Sequence, residues 1–166
     1  MAAAQKSGAS VVHGAFTIVR ELPHAPQRVF AAWSEPRAKA AWFSGPSGQW
    51  TPLEREMDFR VGGRERARGR WASGVITDFQ AHYLDIVPLK RIVYSYTMHV
   101  DEKKISVSLA TIQFEPVQVG GKGGTRMTLT EQGVFLDGFD DAGGRERGTG
   151  SLMDALAKSL EKPQEK

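Results

Sequence analysis

With 166 residues and 40% hydrophobic content, the chain is long enough for one packed core and too short for two. Its 22 Lys and Arg stand against 19 Asp and Glu, a formal charge of +3, and so near a balance does not point to nucleic acid. The lack of any cysteine excludes disulfides, thiolate metal sites and thiol nucleophiles.

No apolar run approaches the roughly eighteen residues of a membrane span. Met1 to Val12 lacks the apolar centre of a secretory signal, so a cytoplasmic protein is expected. Residues 1–12 read as a flexible tail, 13–162 as one domain, and 163–166, opening with Pro163, as a polar end. A strand is predicted from Ala15 to Leu22, stopped by Pro23 and Pro26, neither of which can donate to a sheet ladder. Pro26 suits the first turn of a helix that places Val29, Phe30 and Trp33 on one face. A second short helix follows from Pro36 and ends at Gly45 and Pro46.

Six strands are then predicted: Trp50 to Phe59, Arg64 to Trp71, Val75 to Ile86, Ile92 to Val100, Ile105 to Phe114 and Arg126 to Gln132. Gly62-Gly63, Ser73-Gly74, Pro88, Asp101-Glu102 and the glycines at 120–124 separate them, as in an antiparallel meander. Leu152, Met153, Leu156, Ala157 and Leu160 recur at helical spacing. That last helix starts either at a Ser151/Asp154 capping box or earlier, near Asp141. No internal repeat is visible.

Several strings in this order carry a family resemblance: Ala25-Pro26-Gln27-Arg28-Val29-Phe30, Trp42-Phe43, Asp58-Phe59-Arg60-Val61-Gly62-Gly63, and Tyr83 to Tyr94 around Ile86-Val87-Pro88. Thr125-Arg126-Met127-Thr128-Leu129-Thr130 before Glu131-Gln132-Gly133, and Gly148 before Leu152-Met153-Asp154-Ala155-Leu156, complete it. The chain resembles the activator homologues of the ninety-kilodalton heat-shock protein ATPase, a branch of the START-like superfamily also labelled SRPBCC or polyketide cyclase-like. The resemblance spans Gly14 to Lys162. It implies an α+β helix-grip fold, with a seven-stranded curved antiparallel sheet, two short helices after the first strand and a long C-terminal helix across the concave face. Two positions depart from the pattern. Gly148 is followed by Thr149 where many relatives have Trp, and Val61 stands where relatives often have Pro. The superfamily binds lipids, hormones or polyketides, a few members catalyse cyclisation or hydrolysis, and some bind the chaperone, so the fold alone does not decide function.

Candidate ligand-binding residues are the large side chains at inward positions: Phe30, Trp33, Trp42, Phe59, Trp71, Phe79, Tyr83, Tyr94, Tyr96, Met98, Phe114, Leu152 and Leu156. The competing reading makes them an ordinary core; a strongly curved sheet over one helix is harder to fill than a flat sandwich, which favours a pocket. Strand parity puts Arg64, Arg66, Arg68 and Arg70 on one face, expected to be solvated, and aims Glu65 and Trp71 inward. Glu65 is the one weak candidate for a catalytic carboxylate, and it can equally pair with Arg20 or Arg60. His13, His24, His82 and His99 are too scattered for a metal site. No Gly-x-Ser-x-Gly occurs, and Gly148-Thr149-Gly150 lacks the lysine of a phosphate loop. The expected function is binding of a small hydrophobic or amphipathic ligand between sheet and helix, without enzyme activity, cofactor, metal or nucleic acid, by a monomer or homodimer. The alternatives are a co-chaperone-like interaction module and a cofactor-free cyclase or hydrolase.

Overall fold

The computed structural model describes residues 8–163; residues 1–7 of the expected tail lie outside them. The elements run β1 (Val11–Leu22), α1 (Pro26–Ser34), α2 (Pro36–Ala40), β2 (Trp50–Met57), β3 (Arg64–Trp71), β4 (Ile76–Val87), β5 (Arg91–Val100), β6 (Lys103–Val119), β7 (Lys122–Leu136) and α3 (Ala142–Leu160). The seven strands form one sheet in the order β1-β7-β6-β5-β4-β3-β2, with every neighbouring pair antiparallel. From β1 the chain crosses by α1 and α2 to the far edge, enters β2, and meanders back until β7 closes on β1. The architecture is a helix grip, a curved sheet folded around α3.

The turns explain the meander. Asp101 and Glu102 (φ 46° and 69°), and Gly120 and Gly121 (φ 58° and 78°), occupy the left-handed region, the signature of two-residue hairpins whose twist matches that of the strands. Register shifts between Pro52 and Glu54, Tyr83 and Asp85, and Met98 and His99 mark bulges, which bend strands and deepen sheet curvature.

β6 and β7 extend well past the predicted Ile105–Phe114 and Arg126–Gln132. Pro116 does not interrupt β6, because the β5 partner ends at Arg91 opposite Gln113 and the missing N–H falls on a free edge. β1 begins at Val11, four residues before the predicted start. α3 begins at Ala142, capped by Asp141, whose carboxylate accepts from the Gly144 N–H at 2.7 Å. Ser151 donates instead to the Arg147 carbonyl at 3.2 Å and caps nothing.

On the concave face, cross-strand rows alternate large and small side chains. One row runs Tyr83, Tyr94, Ala110, Glu131, Phe16, and the next runs Glu65, Ala81, Tyr96, Ser108, Gly133, Gly14. The small end of the second row admits the start of α3: a Cβ on Gly14 would lie 2.5 Å from the Ala142 methyl. At the other end of α3, Leu156 and Leu160 are buried with α1 residues Val29, Phe30 and Trp33. Arg28 donates to the carbonyls of Leu160 and Lys162 at 2.6 and 2.5 Å, placing a cation where the helix dipole is negative. The convex face carries the arginine row: Arg64 and Arg70 are exposed, and Arg66 pairs with Asp78 at 2.8 Å and with Glu54.

Candidate ligand cavity between the sheet and the last helix

α1 and the C-terminal half of α3 fill one end of the groove, and a cavity of about 710 Å³ occupies the other. Its floor is Ala67, Phe79, Tyr94, Tyr96, Met98, Leu129 and Glu131 from the sheet. One wall is the segment Ala41 to Pro46 with Trp50; the opposite wall is α3 from Gly144 to Ala155. Beside the larger Arg145, Leu152 and Met153, α3 presents Gly144, Gly148, Thr149, Ser151 and Ala155 there, small side chains that leave room between helix and sheet.

All four tryptophans of the chain, Trp33, Trp42, Trp50 and Trp71, line this cavity. Trp50 lies flat on the β3 backbone, where a Cβ on Gly69 would come within 1.9 Å of its ring; only glycine admits it. Trp71 donates its indole N–H to Thr77 Oγ1 at 3.2 Å, and Trp42 donates to the Ala32 carbonyl at 2.9 Å. Edge-to-face contacts stiffen the wall: Trp33–Trp42 and Phe43–Phe79 both have centroids 4.8 Å apart.

One end of the cavity is polar. Tyr96 donates to Glu131 Oε1 at 2.6 Å, and Arg145 Nη1 donates to the Tyr96 hydroxyl at 2.7 Å and to Glu131 Oε1 at 3.2 Å. Arg145 Nη2 donates to Ser106 Oγ at 2.6 Å and to Asp140 Oδ2 at 3.0 Å. Burial, then the Glu131 charge, pushes the Tyr96 phenol up, so it remains a donor. Burial opposes the Arg145 charge, but Tyr96, Glu131 and Asp140 outweigh it and raise the guanidinium above its ordinary value.

A second buried cluster stands behind the aromatic wall. Lys39 and Tyr83 both donate to Glu65 Oε2, at 2.6 and 2.5 Å. Lys39 is 1% exposed, its ammonium 4.9 Å from the Phe43 ring centroid and 5.4 Å from that of Trp33. Burial lowers its pKa although Glu65 opposes the shift, and burial followed by the Glu65 charge raises Tyr83. None of the three touches the cavity.

Residues 23–161 match the family described as activator of Hsp90 ATPase homolog 1-like proteins. The chain belongs to that family. A solved structure of an uncharacterised Rhizobium leguminosarum protein is 43% identical, with a TM-score of 0.85 over 95% of this chain and 100% of that one. The Rhizobium loti Mll3558 protein is 42% identical, with a TM-score of 0.79 over 90% of this chain and 99% of its own. An AHSA1-like protein from Aeromonas hydrophila shares the fold at 19% identity, with a TM-score of 0.62 over 89% of this chain and 92% of that one. No curated protein matches the chain.

Within this AHSA1-like scaffold the expected site residues divide. Trp33, Trp42, Trp71, Phe79, Tyr94, Tyr96, Met98 and Leu152 line the cavity. Phe30 and Phe59 belong with Phe114 and Leu156 in the filled end, where Phe30 meets Phe114 at 5.3 Å and Phe59 at 5.8 Å, and Phe59 meets Tyr83 at 5.0 Å. Phe30 on α1, with Phe59, Tyr83, Phe114 and Leu156, therefore does not reach the cavity, because α1 packs into that end of the groove. Glu65 faces inward and is 4% exposed, but its partner is Lys39; Arg20 pairs with Asp154 and Arg60 with Asp58. Among the described residues no three His, Asp or Glu side chains converge as a metal site, and no helix is long and apolar enough to cross a membrane.

Glu131, Asp140, Arg145 and Trp50 line the cavity without having been among the candidates read from the sequence. Two of them carried a signal. Met127, Leu129, Glu131 and Phe135 share one strand parity, and Arg145 and Thr149 continue backwards the stripe of Met153, Leu156 and Leu160.

Proposed function

We propose that this AHSA1-like chain binds a small hydrophobic or amphipathic molecule between the sheet and α3. The observation that carries the reading is an aromatic-walled space of about 710 Å³ with one buried polar end, which has the size and the lining typical of small-molecule sites. Thr149, 9% exposed and on the α3 wall, offers the test. Thr149→Trp restores the ring common at this position in relatives and fills the space from the helix side. The neutral probe N-phenyl-1-naphthylamine is expected to brighten with the wild-type protein and to stay dark with the variant, while far-ultraviolet circular dichroism is unchanged. Equal fluorescence with both proteins, or none with either, would rule the cavity out as a binding site.

The family description also brings stimulation of a chaperone ATPase to this chain. That second reading rests on the family alone, and an ATPase assay of the chaperone with the chain added tests it.

A further inference from the structure

We infer that the cavity selects amphiphiles whose polar end is a hydrogen-bond donor, an alcohol or an amine, and turns away carboxylates; the inference rests on the ligand-binding reading above. A buried arginine at the end of an apolar pocket suggests an anion site, but Arg145 is already occupied. Its Nη1 serves Tyr96 and Glu131, and its Nη2 serves Ser106 and Asp140. Its guanidinium also stacks 5.6 Å from the Tyr96 centroid and 5.5 Å from that of Phe135. One guanidinium faces two carboxylates, which leaves this end with one surplus negative charge.

The unused capacity is acceptor capacity. Glu131 is 2% exposed and lines the cavity, and the bonds it accepts from Tyr96 and Arg145 both end on Oε1. Oε2 is left for a ligand. A buried carboxylate oxygen gains from a donor and is penalised by a second anion, and both effects grow as water is excluded. Tyr94, on the floor beside Tyr96, reports the same field. Burial first, then Tyr96, Glu131 and Glu65, hold its phenol well above the ordinary value, so a negative charge at that point of the cavity is disfavoured. The Lys39–Glu65 pair behind the wall is internally neutral and does not offset this. The aromatic faces that line the space are compatible with an ammonium head.

Three naphthalenes of one shape separate the possibilities: 2-naphthylmethanol, 2-naphthylmethylamine and 2-naphthoate, titrated calorimetrically at neutral pH. The alcohol and the amine are expected to bind at least about tenfold more tightly than the carboxylate, as one charge-assisted bond gained against one repulsion implies. Glu131→Gln should shrink that gap to about threefold or less and weaken the amine most. Should Glu131→Gln fail to fold, Asp140→Asn, at a side chain 23% exposed, removes the same surplus charge and should move the preference in the same direction. Naphthoate binding as tightly as the alcohol and the amine, or a gap untouched by both variants, would overturn the selectivity while leaving the cavity's binding role intact. Failure of all three compounds to bind, with N-phenyl-1-naphthylamine also silent, would overturn both.

Discussion

Two carboxylates are buried beneath the same aromatic layer, and each holds a tyrosine hydroxyl and a cation. Glu65, with Lys39 and Tyr83, is sealed behind Trp33 and Phe43; Glu131, with Arg145, Tyr96 and Asp140, forms part of the cavity wall. In each set both donors end on one carboxylate oxygen, but the sealed set is a one-to-one ion pair, whereas the open set has two carboxylates to one cation and turns its carboxylate to the cavity. Similar ingredients thus serve different ends, and access decides which. The sealed ion pair holds β3, β4 and α2 together; the open one is the group proposed to meet a ligand.

Breaking the sealed pair should have the largest effect on the molecule. Glu65→Gln leaves the Lys39 ammonium without its counter-charge in a dry aromatic cage, and the expected loss is about 3–5 kcal/mol in chemical denaturation at neutral pH. Lys39→Met combined with Glu65→Gln should recover most of it, since both charges are then gone. Without Glu65, the Lys39 pKa falls further below its unfolded value. The unfolded chain then binds more protons than the folded one in that window, so stability of the single variant rises with pH below about pH 10. Head-group preference should be unchanged in both variants, because neither residue touches the cavity. A changed preference would erase the distinction between the two clusters.

The three tyrosines of the chain, Tyr83, Tyr94 and Tyr96, tie the two clusters together, and all are buried with pKa values raised, burial being the first cause in each. Below pH 10 the folded and unfolded chains hold the same phenolic protons. Above it only the unfolded chain releases them, so stability falls as pH rises; at pH 11 three such groups amount to about 4 kcal/mol. Phenolate absorbance should therefore appear in one cooperative step that coincides with loss of circular dichroism. Gradual ionisation of one tyrosine in the folded protein would show that its hydroxyl is open to solvent.

Legibility in the sequence followed the same divide. Period-two alternation made β3 readable, with Glu65 inward and the arginine row outward, since each substitution of parity would bury four guanidinium groups. Turn residues with special backbone needs, such as Asp101-Glu102 and Gly120-Gly121, fixed the hairpins. The inward aromatic residues were readable as a set, but their division between filled groove and cavity was not. That depends on α1 covering one end and on small side chains on α3 leaving the other open, a tertiary fact with no local signature. Lys39 escaped notice because a lysine on a five-residue helix reads as solvated; its burial follows from Glu65, twenty-six positions on.

The smallest expected effects come from the glycines of α3, and they sharpen the difference between a residue that bounds the cavity and one that shapes its polar end. Gly148 lies in mid-helix on the cavity rim, and a Cβ there meets no atom within 4 Å. Gly148→Ala should add about 0.5–1 kcal/mol by restricting the unfolded chain and raising helix propensity, which at this size corresponds to roughly 1–4 °C in Tm. One methyl at the rim leaves affinity within about twofold. Gly144→Ala brings the same propensity gain, but its Cβ would lie 3.1 Å from Asp140 Oδ1, crowding the carboxylate whose other oxygen holds Arg145. That variant should melt near the wild type while its preference for alcohol and amine over carboxylate shifts, because Asp140 carries part of the surplus charge. Identical behaviour of the two alanine variants in both melting and head-group titrations would mean that Asp140 moves without consequence, and that the polar end is set by Glu131 alone.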